Sequence, residues 1–272
     1  MRRAALALTL LSTPVAADCV RDADPCEIAT GTYRIALPDN ADIPVPAILF
    51  LHGFGGTGNG TLGMTATVEA ITARGYAMIA PDGTEMDGRG GRRWSFLSAR
   101  PADRDEPAFL ADVVTDAASR HGIDPDRVLL AGFSAGGFMV TYLACAAPEA
   151  FPAYAPISGG FWRPHPDECA GPVKLLQTHG FRDSTVPLEG RPLRGGDFVQ
   201  GDIFEGLSIW RDANGCAWDD PDAYSQSGQF DRRRWDCVEG SALEFALFPG
   251  GHRVPEGWAD MAIDWFEAVT AD

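Results

Sequence analysis

The segment Gly132-Phe133-Ser134-Ala135-Gly136 restricts the fold of this chain more than any other stretch, because it joins two elements of opposite character. Val128-Leu129-Leu130-Ala131 ahead of it is an apolar run with the length of a buried strand, and Phe138 to Cys145 behind it has the spacing of a buried helix. A serine flanked by glycines at such a junction predicts a tight strand-to-helix turn that lifts the hydroxyl above the sheet edge. The serine backbone is strained in that turn and a side chain two residues to either side would crowd it, which accounts for both glycines. A plain glycine-rich loop is the simpler reading. It gives way only if the rest of the chain supplies partners for a reactive hydroxyl.

A serine that attacks a carbonyl needs an imidazole to take its proton and a carboxylate to hold the imidazole's tautomer. The histidines downstream of Ser134 are His165, His179 and His252. Lys174 to Thr178 reads as a strand, followed by the loop His179-Gly180-Phe181-Arg182-Asp183; Leu243 to Phe248 reads as another, followed by Pro249-Gly250-Gly251-His252. Asp183 and His252 therefore each stand just beyond the carboxyl end of a predicted strand, where open parallel sheets place their sites. Asp183 has a simpler role as a turn cap with Ser184, which keeps Asp197 and Asp202 as alternative acids. His179 precedes the acid and is read as a supporting residue at a strand end. His165, within Arg163-Pro164-His165-Pro166, is expected on the surface, and His121 at the C-terminus of an amphipathic helix, favoured there by the helix dipole. Activity is expected to fall as His252 takes up a proton, since only the neutral ring acts as a base.

The chemistry also needs donors for a developing oxyanion. Ala47 to Leu51 reads as a strand leading into His52-Gly53-Phe54-Gly55-Gly56-Thr57-Gly58. The expected donors are the backbone amides of Ala135 and Phe54, with Gly53 and Gly55 kept as alternatives for the second; losing one such donor typically costs about 3–4 kcal/mol of barrier stabilisation. The loop lacks the Lys-Ser/Thr ending of a P-loop and the spacing of a dinucleotide fingerprint, which argues against phosphate binding.

Strand-like and helix-like runs alternate: a helix over Leu62 to Arg74, a strand over Tyr76 to Ala80, a helix over Phe109 to Arg120, a strand over Tyr154 to Ile157, and a final helix with Met261, Trp265, Phe266 and Val269 as its buried stripe. This predicts an α/β architecture, a mostly parallel sheet with helices on both faces, with residues 18–272 as one domain. Two irregular stretches, Glu85 to Pro107 and Ser184 to Asp202, are rich in Gly and Pro and are expected to form a pocket wall or lid. Trp94 in the first and Trp162 after a strand end are the candidates for substrate contact, each with the alternative of a core anchor. Trp210 is read as core.

Residues 1–17 read as an export signal: Arg2-Arg3, an apolar core from Ala4 to Leu11, and Val15-Ala16-Ala17 before a cleavage point at Asp18. The expected location is the periplasm or the medium, with no membrane anchor. Export gives meaning to the six cysteines, which an oxidising compartment can pair fully. There is no C-x-x-C and no H-E-x-x-H, so no metal is expected; from spacing alone many pairings stay open. The formal net charge is −16, and loss of Arg2 and Arg3 makes it −18. So acidic a chain argues against nucleic acid or anionic membrane as partner.

Taken together and in order, several stretches carry a resemblance: Leu51-His52-Gly53-Phe54-Gly55-Gly56, Ala80-Pro81-Asp82-Gly83-Thr84, Arg92-Arg93-Trp94, Gly122-Ile123-Asp124-Pro125-Asp126-Arg127-Val128, the serine turn, His179-Gly180 with Asp183, Asn214-Gly215-Cys216, and Gly250-Gly251-His252. The chain resembles the secreted α/β-hydrolase esterases grouped as polyhydroxybutyrate depolymerase-like proteins, with the feruloyl and acetylxylan esterases of carbohydrate esterase family one. That resemblance implies the α/β-hydrolase fold and ester hydrolysis through an acyl-serine, by Ser134, His252 and Asp183, with no metal and no organic cofactor; the expected substrates are small esters or soluble ester oligomers. Together with proximity it suggests the disulfides Cys19–Cys26, Cys145–Cys169 and Cys216–Cys237, the last closing a polar loop and worth roughly 3 kcal/mol on the chain-entropy model. The chain departs from the group's pattern at Phe133 and Ala135 and at Arg253-Val254-Pro255-Glu256-Gly257-Trp258, both expected to border the acyl pocket. A serine peptidase of the same fold is one alternative, which the chain's length without an added propeller domain argues against. The other is a non-catalytic, polymer-binding relative.

Overall fold

The computed structural model of the protein describes residues 19–20, 24–39, 43–86, 88, 90–97, 101–217 and 219–271. The predicted export signal and its cleavage point lie outside them. In chain order the strands are β1 Cys26–Ile28, β2 Gly31–Ala36, β3 Val45–Leu51, β4 Ala77–Pro81, β5 Thr84–Glu85, β6 Arg92–Arg93, β7 Ile123–Phe133, β8 Ala153–Ile157, β9 Trp162–Arg163, β10 Lys174–Gly180, β11 Pro192–Leu193, β12 Phe198–Gln200, β13 Ala223–Ser227, β14 Phe230–Trp235 and β15 Ala242–Phe248. The helices are α1 Gly58–Leu62, α2 Thr65–Ala73, α3 Glu106–His121, α4 Ala135–Ala146, α5 Ile203–Ala213 and α6 Trp258–Thr270.

The main sheet runs β1-β2-β4-β3-β7-β8-β10-β15-β14-β13. From β4 to β15 every neighbour is parallel, whereas β1 and β2 on one flank and β14 and β13 on the other are antiparallel. The parallel strands are apolar on both faces, as burial under two helical layers demands. Alternation sorts their side chains between the layers. Leu49 and Leu51 of β3 and Leu130 of β7 join the core with Leu110 of α3, Leu143 of α4 and Trp210 of α5; Ile48, Phe50 and Leu129 join the core with Val68 of α2 and Trp265 of α6. This is the α/β-hydrolase fold that the sequence predicts.

Helix ends follow local chemistry. Asp105 caps α3 by accepting from the Ala108 amide at 3.1 Å, and Gly122 in the left-handed region ends it. The predicted helix over Leu62 to Arg74 is instead two, α1 and α2, broken at Gly63-Met64; Thr57 starts α1 by accepting from the Gly60 amide.

The polar loop between Cys216 and Cys237 folds into the β13–β14 hairpin, with Phe230 and Trp235 buried and Arg232 paired with Glu244 of β15. Two departures from expectation lie at the periphery. The stretch Ser184 to Asp202 is not irregular throughout, since β11 and β12 pair antiparallel and β12 pairs with β9, making a small sheet beside the main one. His165 is not on the surface. It lies half-buried against Phe161, its Nδ1 3.3 Å from Glu205. Disulfides join Cys19 to Cys26, Cys145 to Cys169 and Cys216 to Cys237. No helix among the described residues is long and apolar enough to cross a membrane.

Candidate active site

Ser134 stands at the turn between β7 and α4 with φ 55° and ψ −116°, a backbone region costly for any residue but glycine. The turn is forced by close packing. A Cβ on Gly132 would lie 2.6 Å from the Gly136 carbonyl, and one on Gly136 would strike the Leu51 carbonyl of β3. Side chains at either position would push β7, α4 and β3 apart. The Ser134 amide donates to the Ile157 carbonyl of β8 at 2.9 Å, fixing the turn against the sheet.

Strands β7, β10 and β15 deliver the three candidate residues to one sheet end. Gly180 stands level with Phe248, so the chain leaves β10 and β15 at the same height. The two loops that follow are then joined by backbone: the Phe181 amide donates to Phe248 O at 2.8 Å and the Arg182 amide to Gly250 O at 2.9 Å, while the Arg182 guanidinium donates to Pro249 O. Asp183 and His252 project from this joined pair. His252 Nδ1 lies 2.8 Å from Asp183 Oδ2, and His252 Nε2 lies 2.9 Å from Ser134 Oγ. An ionised carboxylate only accepts, so the proton sits on Nδ1 and the Nε2 lone pair faces the serine hydroxyl.

The acid is held from several sides. Asp183 Oδ1 accepts from the amides of Thr185 and Val186 at 2.9 and 2.8 Å. Burial works to raise its pKa, but the hydrogen bonds from His252 and the Val186 amide outweigh it and hold the carboxyl below its ordinary value. His179, fully buried, donates from Nε2 to the Val186 carbonyl at 2.7 Å; burial first of all lowers its pKa and keeps it neutral. It thus supports the turn that presents Asp183. Asp202 is instead the N-cap of α5, accepting from the amides of Phe204 and Glu205, and Asp197 ends the short 3-10 turn after β11.

Among the donors, the Gly55 amide is committed to Arg92 O at 2.8 Å, which removes Gly55 from the candidates. Ala135 is the first residue of α4, where amides have no intrahelical acceptor and the helix dipole is positive. Among the described residues its amide and those of Gly53 and Phe54 have no acceptor, so Gly53 stays beside Phe54 as a candidate for the second donor. The loop carrying Phe54 is pinned from beneath. His52 donates from Nδ1 to Gly53 O at 2.7 Å and accepts at Nε2 from the Gly83 amide at 3.0 Å. Asp82 accepts from the Gly58 amide, and Arg92 donates to Gly83 O. The stretches around Asp82 and Arg92 thus work as a cradle for this loop, a role not visible in their one-dimensional pattern.

A cavity of about 590 Å³ opens on Ser134 and Ala135. Both tryptophan candidates line it. Trp94 is also an anchor, buried, with its indole Nε1 donating to His52 O at 2.8 Å and its ring against His52. Trp162 stands on β9, its ring 5.2 Å from Phe138 and edge-on to Phe198. Phe133 was expected to border the pocket; instead its ring packs on His252 with centroids 4.6 Å apart, bracing the imidazole. Trp258 is likewise core, fully buried against Phe50. Among the described residues the one grouping with metal-ligand spacing is Cys19, Cys26 and His121, and its two sulfurs are joined in a disulfide.

A hydroxyl, imidazole and carboxylate in this relay, beside free amides and an apolar cavity, can drive nucleophilic attack on a carbonyl. Residues 35–193 match the family described as phospholipase/carboxylesterase. Poly(3-hydroxyalkanoate) depolymerase C of Paucimonas lemoignei is 32% identical over 111 residues, 39% of this chain and 25% of that protein. Feruloyl esterase B of Piromyces equi is 25% identical over 187 residues, 64% of this chain and 33% of that protein. The chain thus spans a third or less of the length of these relatives. An acetyl xylan esterase from Aspergillus awamori superposes with a TM-score of 0.60 at 18% identity, covering 86% of this chain and 93% of that one, a likeness of fold.

Proposed function

Since the chain belongs to the phospholipase/carboxylesterase family, we propose that it is a serine esterase that hydrolyses carboxylic esters through an acyl-serine. The observation that carries this reading is the unbroken relay Ser134–His252–Asp183, at 2.9 and 2.8 Å, on the rim of the cavity. Ser134 Oγ attacks the ester carbonyl carbon while its proton passes to His252 Nε2, and Asp183 stabilises the imidazolium. The amides of Ala135 and Phe54 receive the oxyanion. As the tetrahedral species collapses, the C–O bond to the alcohol breaks and His252 returns the proton to the departing oxygen. Water then repeats the sequence on the acyl-serine, releasing the acid and restoring Ser134.

Residues 18–272 act as a single catalytic domain in this reading, exported after cleavage near Ala17 and secured by its three disulfides. The relatives' names supply the candidate substrates, hydroxyalkanoate, feruloyl and acetyl esters, and the cavity volume favours acyl or alcohol groups larger than acetyl. Replacing Ser134 by Ala is expected to lower kcat on short p-nitrophenyl esters by a factor on the order of 10⁶. A fluorophosphonate should label the wild-type protein at Ser134 and leave the variant unlabelled. Turnover retained by a correctly folded Ser134→Ala protein refutes the assignment.

A further inference from the structure

The cavity on Ser134 carries charge of the opposite sign to the chain as a whole. Its charged lining is Arg93, Arg191, Arg194 and Asp103, in a protein with 38 acidic against 22 basic residues. Asp103 is already taken, its Oδ2 2.6 Å from Arg93 Nη2. Arg191 and Arg194 have no carboxylate partner among the described residues. Among the described residues Arg191 Nε reaches Gln200 Oε1, at 3.4 Å, a contact that orients the guanidinium without neutralising it. Arg194 lies at the turn between β11 and β12 with φ 48°, its guanidinium 5.9 Å from the Phe198 ring centroid.

That backbone conformation costs a non-glycine residue on the order of 1 kcal/mol or more. Glycines that would adopt it freely follow at once in Gly195 and Gly196, yet an arginine holds the strained position. Two guanidinia without a carboxylate partner beside an apolar wall, Arg191 half-buried and Arg194 exposed at the rim, suit a planar anion. Guanidinium recognises carboxylate through paired, charge-assisted hydrogen bonds, and a cleft lined by Phe96, Phe138 and Val186 screens that attraction less than open water does. The net charge of −16 repels anions from the molecule generally, so a local reversal is what an anionic substrate needs.

We propose that Arg191 and Arg194 form an anion subsite of the active-site cavity, and that the preferred substrate is an ester bearing a free carboxylate on an otherwise apolar or aromatic body. Half-esters of dicarboxylic acids and the carboxyl ends of short polyester chains have this chemistry. The inference rests on the esterase reading of Ser134.

The test compares p-nitrophenyl hydrogen adipate with p-nitrophenyl hexanoate, esters of equal chain length in which a carboxylate replaces a methyl. The wild-type protein should favour the adipate by about tenfold in kcat/KM, carried by a lower KM, as expected for one charge-assisted contact. The ratio of the two kcat/KM values should fall by about tenfold in Arg191→Gln and in Arg194→Gln, and should invert in Arg194→Glu. If the wild-type protein hydrolyses hexanoate but favours it over adipate, the anion subsite is refuted and the esterase reading stands. A preference for adipate that none of these variants moves refutes the assignment to the two arginines. Hydrolysis of neither ester by protein that fluorophosphonate also fails to label overturns the esterase reading itself.

Discussion

Ser134 keeps an unfavourable backbone conformation because its neighbours leave no alternative. Its amide is bound to β8, and Gly132 and Gly136 let β3, β7 and α4 meet backbone to backbone. Gly136→Ala inserts a methyl against the Leu51 carbonyl, and overpacking of this kind costs about 1–3 kcal/mol or more. A lowered thermal midpoint with greatly reduced ester turnover is the expected result; an unchanged melt would refute the close packing of α4 on β3. Asp183→Asn keeps the shape but offers an amide where His252 needs an anion, so kcat should fall by about 10⁴-fold, as when the imidazole is held in the wrong tautomer. The same substitution has a signature in stability. The Asp183 carboxyl titrates below its ordinary value in the folded protein, so its contribution is present above the unfolded-state value of about 3.9 and is lost as the pH falls through the lower folded-state value. The gap in unfolding free energy between wild type and Asp183→Asn should therefore be constant near neutrality and shrink in that acid range, which denaturant titrations at stepped pH would read. His179 was legible as a supporting residue at a strand end, but not the contact through which it supports. That it grips the Val186 carbonyl, whose amide in turn reaches Asp183, depends on how the chain turns after β10 and has no mark in the sequence.

At the level of elements, the strands buried between two helical layers are the ones an apolar run announces. Val128 to Ala131, Lys174 to Thr178 and Leu243 to Phe248 fall within β7, β10 and β15 for that reason. The antiparallel flanks carry no such mark. In β14 the buried Phe230 and Trp235 bracket Asp231, Arg232, Arg233 and Arg234; Asp231 and Arg234 are exposed, and Arg232 pairs with Glu244 of β15. The strands of the small sheet, β9, β11 and β12, are too short for period-two alternation to register. The glycine-rich α1 has little intrinsic helix propensity and rests on the Thr57 cap and on contacts with its neighbours. The β13–β14 hairpin lies at the sheet's edge with the Cys216–Cys237 bridge at its base, so removing that bridge frees an element whose own core is little more than Phe230 and Trp235. A Cys216→Ser, Cys237→Ser double variant should lose roughly 3 kcal/mol, and calorimetry should find its midpoint about 6–12 °C lower. Since β15 leads to His252, activity should fail at a lower temperature in step with the melt.

Across the whole molecule, the charge and the reaction centre speak to different properties. The net charge of −16 strains the compact state through self-repulsion and does not select the fold. Adding neutral salt from low concentration to about 0.5 M screens that repulsion, so the thermal midpoint should rise by a few degrees before any specific-ion effect; a fall would show that attractive surface pairs, such as Arg74 with Asp264 at 2.8 Å, outweigh the repulsion. The three relay residues were legible because each follows an apolar strand, and the Gly- and Pro-rich stretches 85–107 and 184–202 were legible as the cavity wall; the shape of that wall was not, because it comes from the meeting of loops distant in sequence. One consequence follows from the backbone links between the loop after β10 and the loop after β15. Asp183 and His252 are mounted on a common chassis, while the wall bearing Trp162, Arg191 and Arg194 hangs from a small three-stranded sheet beside it. Substitutions confined to that small sheet are therefore expected to change which esters the cavity accepts while leaving the pairing of Asp183 with His252 in place.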